Sequence, residues 1–114
     1  MSILRTPESR FENLKDFNFE PNYLELSHKS ESMRMHYLDE NKDSNDVVLL
    51  LHGEPTWCYL YRHIIPILTK AGKRVIAPDL IGFGKSDKLT NKEDYTYANH
   101  IMWVSQLFDH LQLD

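Results

Sequence analysis

Two short stretches hold residue types in an order that could do chemistry: HGEPTW at positions 52–57 and DLIGFGKSD at positions 79–87. The second contains Gly84-Lys85-Ser86, the tripeptide that closes many phosphate-binding loops. Such a loop needs an earlier glycine that falls here at position 79, which is Asp79, and it must open directly into a helix. The segment after Ser86, DKLTNKEDY, has no apolar helical stripe, so no helix N-terminus is available to a phosphate. Gly82 and Gly84 are better read as residues that permit positive φ or close backbone approach, and Lys85 as a solvated side chain. The first stretch suits another chemistry. A backbone amide just past the end of a buried strand, held by a glycine turn, can point into a crevice and stabilise a developing negative charge.

The elements around these stretches must put both at one edge of a sheet. VVLLL, 47–51, is apolar on both faces and β-branched at its start, which predicts a central parallel strand covered by helices. RVIAP, 74–78, predicts a second short buried strand closed by Pro78. MRMHYLD, 33–39, alternates as a half-buried strand, with Met33, Met35 and Tyr37 on one face and Arg34 and His36 on the other. NKDSND, 41–46, is a polar turn. Between the two apolar strands, Leu60, Ile64, Leu68 and Ala71 recur at helical spacing, with Pro66 predicting a kink or a break and Gly72 a stop. Thr96 can cap a last helix with a stripe of Ile101, Val104, Phe108 and Leu111 and Trp103 at its flank. Residues 1–23, polar, irregular and dotted with aromatics, read as an ordered arm rather than a repeat or a helix. The alternation predicts an α/β fold with a largely parallel sheet, in which ligands bind at the carboxyl ends of strands.

Composition narrows the function classes. The 114 residues are 41% hydrophobic and 26% charged with a net charge of −4, which suits one globular domain and offers no basic patch for nucleic acid. The opening residues lack the apolar core of a signal peptide, and no run approaches the length of a membrane span. The single cysteine, Cys58, rules out an internal disulfide and fits a reducing, cytoplasmic setting. The six histidines show no metal-ligand spacing, so no metal site is expected.

LLLHGEPTWCYLYRHIIPILTKAGKRVIAPDLIGFGKSDK resembles the N-terminal part of haloalkane dehalogenases, and RTPESRFENLKDFNFEPNYLE resembles the arm that precedes it. The resemblance covers nearly the whole chain; its one evident departure is Cys58, where serine is expected. It implies the N-terminal part of an α/β-hydrolase fold, a mostly parallel sheet flanked by helices that stops before the nucleophile strand. An arm over residues 1–30 would precede an incomplete core over 31–114. In α/β-hydrolases one oxyanion donor comes from the loop after the third strand. On that resemblance the Glu54 backbone N–H is the donor, while Gly53 permits the turn and His52 orients the loop. The Glu54 carboxylate could also help place the hydrolytic water. Trp57 either lines the substrate pocket or packs.

The implied reaction is hydrolysis of a small halogenated alkane through an Asp alkyl ester, with water as co-substrate and no metal or organic cofactor. The elbow pattern that would carry the nucleophile appears nowhere in residues 1–114, and the acid, the histidine base and the cap would lie further on. The chain is therefore expected to be inactive alone and able to self-associate through an open sheet edge. An epoxide or ester hydrolase of the same fold, or a non-catalytic α/β module, are the alternatives.

Overall fold

The computed structural model describes residues 3–12, 14, 17, 19–29, 31–52 and 57–112. Its main sheet has four strands: β2 (Asn22–His28), β3 (Glu31–Glu40), β4 (Val47–Leu49) and β5 (Arg74–Pro78), in the order β2-β3-β5-β4. A short ribbon pairs β1 (Ile3–Leu4) with β6 (Lys88–Leu89). Helix α1 spans Ile64–Lys70 and α2 spans Tyr97–Leu111.

The expectation of a mostly parallel sheet needs correction among the described residues. β2 with β3 and β3 with β5 are antiparallel, and only β4 with β5 is parallel. The cause is the pair of tight reversals before the first crossover. Lys29, at φ 49°, turns β2 back into β3. The polar turn at 41–46 then reverses the chain again, so β4 runs opposite to β3. β5 returns parallel to β4 after the α1 crossover and is inserted between β4 and β3. The sheet also begins before residue 31, because 22–28 is a strand rather than irregular arm.

Side chains on the two sheet faces build two cores. Met33, Met35, Tyr37 and Ile76 face α2, where Trp103 and Leu107 are fully buried. Leu38, Val75 and Ala77 face α1, where Cys58 and Ile65 are buried. Each large side chain sealed in this way stabilises the fold by about 1.5–3 kcal/mol. At the end of the sheet away from the candidate site, Arg74 donates twice to Asp39, at 2.8 and 2.7 Å, locking β5 to β3.

Both helices bury a face one step round from the expected one. In α2, Ile101 is 50% exposed, and the inward stripe runs through Trp103, Val104, Leu107 and Leu111. Around α1, Leu60 and Ile64 face solvent, while Cys58, Tyr61, Ile65 and Leu68 pack inward. The expected break is present, but it falls before Pro66. A 3-10 turn over Cys58–Tyr61 ends, α1 starts at Ile64, and Pro66 sits in its first turn, where its missing N–H costs nothing. α1 stops as Gly72 takes φ +85°, with Lys73 N–H donating to Leu68 O and Gly72 N–H to Thr69 O. Thr96 caps α2 by accepting from Asn99 N–H at 3.0 Å. No helix among the described residues is long and apolar enough to cross a membrane.

Candidate active site at the carboxyl edge of the sheet

β4 and β5 run in the same direction, so the segments that follow them leave from one edge. After β4, the ladder continues one step, with Leu50 N–H donating to Ile76 O. The chain then reaches His52. After β5 comes the 79–87 loop. Gly53 and Glu54, the expected turn glycine and amide donor, lie outside the described residues; the residues on either side of them do not.

His52 is 4% exposed, and its Nε2 accepts from Leu80 N–H at 2.9 Å. That bond places the ring proton on Nδ1. The ring also meets Phe83 edge-on, with centroids 5.1 Å apart. Past position 56, Trp57 stacks on Tyr59 and makes tilted contacts with Phe11 and Phe17. The N-terminal arm thus supplies an aromatic cluster beneath the edge. Lys85, expected to be solvated, instead lies over the Phe11 and Phe17 rings at 5.4 and 5.8 Å, because its preceding loop folds back onto them.

The loop at 79–87 is fastened to β3 at both ends. Asp79 N–H donates to His36 O and Asp87 N–H to Arg34 O. Ser86 Oγ donates to Asp79 O and accepts from His36 N–H. The amide of Lys85, which a phosphate loop would offer to an anion, is consumed by Asp79 Oδ2 at 3.0 Å. A carboxylate built into the chain already sits where a phosphate would have to bind.

Asp79 is the hub that sequence reading missed. Its carboxylate is fully buried and takes three donors: Cys58 N–H on Oδ1 at 2.7 Å, and Lys85 N–H and His36 Nδ1 on Oδ2, the latter at 2.8 Å. Burial alone would raise its pKa, but the His36 contact and the two amides outweigh that and hold it below the usual carboxylate range. His36, expected on a polar strand face, is 0% exposed because Asp79 is there to receive it.

His36, Cys58 and Asp79 offer ligand atoms within 4.8 Å of one another, a grouping that histidine spacing could not show. The carboxylate is already occupied by main-chain donors, and burial, with Asp79 close by, pushes the Cys58 thiol far up, away from the thiolate a metal would need. The donor set is that of a hydrogen-bonded junction.

Asp87 closes the loop's other end. Arg5 grips it through two bonds of 2.6 and 2.7 Å, and Arg34 N–H adds a third. Burial raises its pKa, yet the guanidinium and the amide bring it below the ordinary range. A folded pKa below the unfolded one means that the unfolded chain binds more protons in acid. The contribution of Asp79 and Asp87 is therefore complete above about pH 4 and lost as the pH falls below it. Arg5→Ala should lower the melting temperature at pH 6, and the deficit should shrink by pH 3. Equal deficits at both pH values would contradict the assignment.

The geometry can be set beside known proteins. Residues 46–114 match the family model described as alpha/beta hydrolase fold. A curated haloalkane dehalogenase of Psychrobacter cryohalolentis is 59% identical across 100% of this chain and 38% of its own length. Another, from Mycolicibacterium paratuberculosis, is 55% identical across 99% of the chain and 38% of its own. A solved structure described as a tetrameric haloalkane dehalogenase, from Paraglaciecola agarilytica, superposes on 100% of the chain and 38% of its own at a TM-score of 0.93, with 50% identity. The chain spans 38% of the length of the relatives it matches.

Proposed function

Because the chain belongs to the alpha/beta hydrolase fold family, we propose that it forms the N-terminal, oxyanion-side portion of a haloalkane dehalogenase. The observation that carries this reading is the placement of His52, the first residue of HGEPTW. It follows the carboxyl end of β4 beside the carboxyl end of β5, where open α/β sheets bind ligands, and the relatives named haloalkane dehalogenase match the chain from end to end.

In this reading the nucleophilic aspartate, its histidine base and the orienting acid lie beyond residue 114. A carboxylate oxygen of that aspartate forms a bond to the halogen-bearing carbon, and halide leaves with the electron pair. The histidine then takes a proton from water, and the resulting hydroxide adds to the ester carbonyl, placing negative charge on the carbonyl oxygen. The Glu54 backbone N–H faces that oxygen. Collapse expels the alkoxide, which takes the proton from the histidine and leaves as the alcohol; the carboxylic acid formed gives the second proton of the water to solvent, restoring the carboxylate. Gly53 and His52 shape the turn, and Trp57 contributes to the apolar wall. The substrate is a small halogenated alkane, the second reactant is water, and the chemistry needs no metal or organic cofactor. The setting is cytoplasmic.

The test uses two proteins. The 114-residue chain alone should release no halide from short bromoalkanes above the buffer rate. A chimera carrying residues 1–114 in place of the corresponding part of the Psychrobacter cryohalolentis relative should turn over. A chimera that folds but releases no halide would remove the proposal, and turnover by the short chain would remove its claim that the nucleophile lies elsewhere.

A further inference from the structure

We infer that Asp79, together with Leu80, is a positioning residue that fixes His52 and Cys58, which flank the oxyanion donor proposed at position 54; this deepens the proposed function and rests on it. On the N-terminal side of that position stands His52, whose Nε2 is held by Leu80 N–H at 2.9 Å. On its C-terminal side stands Cys58, whose N–H is held by Asp79 Oδ1 at 2.7 Å. Two consecutive residues at the end of β5 thus fasten the segment before and after positions 53–57.

The brace is itself immobilised. Asp79 Oδ2 accepts from Lys85 N–H and His36 Nδ1, Asp79 N–H donates to His36 O, and Asp79 O accepts from Ser86 Oγ. Every polar atom of Asp79 is engaged, and its side chain is fully buried. Sealing a carboxylate inside a sheet edge is costly, and an apolar residue of similar size would close the same space with less desolvation. What the acid adds is geometry, because it is the one group here that can accept from strand β3, from the 79–87 loop and from Cys58 at once.

The two chemical steps depend on that geometry differently. Halide displacement moves charge onto the leaving halide and creates no oxyanion on the acyl carbon. Ester hydrolysis does create one, and donors must sit about 2.7–3.1 Å from it. A displacement of about 1 Å costs on the order of 100-fold in rate. Loosening the brace therefore slows the second step and spares the first.

Asp79→Asn in the chimera tests this. Asparagine keeps the size and one acceptor, and it turns a donor toward either the Cys58 or the Lys85 amide. The expected result is a burst of halide equal to the enzyme concentration, then a steady rate about 100-fold below the parent. The alkyl–enzyme ester should accumulate as a mass increment equal to the alkyl group. kcat and KM should fall together, leaving kcat/KM within about 3-fold, and the amides of Cys58 and Leu80 should exchange with solvent at least 10-fold faster while those of β3 and β5 do not. A merely structural defect would lower kcat/KM without a burst; that result, or an unchanged kcat, overturns the inference. If the variant does not fold, hydrogen exchange in the parent decides: strong protection of the Cys58 and Leu80 amides supports the brace, and free exchange overturns it. An inactive parent chimera would defeat the proposed function, leaving the exchange rates alone to uphold or overturn the brace.

Discussion

Gly84→Ala should destabilise the fold by about 2–5 kcal/mol, summing a left-handed backbone penalty and the cost of overpacking a filled site. Gly84 has φ +52°, and a Cβ built there would lie 2.5 Å from Asp79 Cγ and Oδ2 and 2.7 Å from Trp57 Cε3. Neither neighbour can yield. Asp79 is pinned by three donors, and Trp57 is wedged among Phe11, Phe17 and Tyr59. Against a total stability of about 5–15 kcal/mol, this is a large fraction. Gly72→Ala is the control. Gly72 has φ +85° with nothing within 4 Å of a built Cβ, so it carries only the backbone strain, about 1–2 kcal/mol. Urea unfolding of both variants in one background should show Gly84→Ala costing at least twice as much, and equal costs would mean that the close approach between the loop and Asp79 does not exist.

That contact also shows where sequence reading reaches its limit. β5 was legible because an apolar, β-branched run closed by proline has few other readings, and the observed strand matches it residue for residue. The stop at Gly72 and the cap at Thr96 were legible because each is a local event, completed within a few residues. β2 was not: in NYLELSH only Leu26 and His28 are fully buried, too sparse a pattern to separate from the irregular arm before it. Helix existence was legible and helix rotation was not, because the α2 stripe was drawn through Ile101, Val104, Phe108 and Leu111 with Trp103 at its flank, while the space beneath the sheet accepts Trp103. The Asp79 hub joins groups 21 and 43 residues away in the chain. Periodicity carries no information about such pairs, so His36 read as a polar-face residue and Asp79 as a flaw in a phosphate motif. Gly53 and Glu54 were singled out, as an expected turn glycine and donor, from local order and family resemblance, whereas what holds their flanks depends on the sheet order that brings β5 between β3 and β4.

The same sheet order governs how the chain meets other chains. Among the described residues β4 pairs only with β5, and its outer side is open. Arg74 N–H donates to Asp46 O and Leu50 N–H donates to Ile76 O. With a period of two, Val48 also faces β5, while the N–H and C=O groups of Val47 and Leu49 point outward. Beside this edge a cavity of about 680 Å³ is lined in part by Val47, Leu49, Phe108 and Leu111. Unpaired main-chain groups along an open sheet edge form a template for a further strand. The 114-residue chain should therefore self-associate in a concentration-dependent way when followed by sedimentation. Val47→Pro should weaken that association by about 10-fold or more, since it removes an outward donor at the first residue of an edge strand, a position that tolerates proline. The β4–β5 ladder does not use the Val47 amide, so the monomer should keep its fold. Val48→Pro supplies the contrast: it removes an inward donor and should disrupt the sheet itself, giving unfolded chain rather than folded monomer. If Val47→Pro left the association unchanged while Val48→Pro was tolerated, the assignment of inner and outer groups along β4 would be reversed, and with it the side from which the next strand can join.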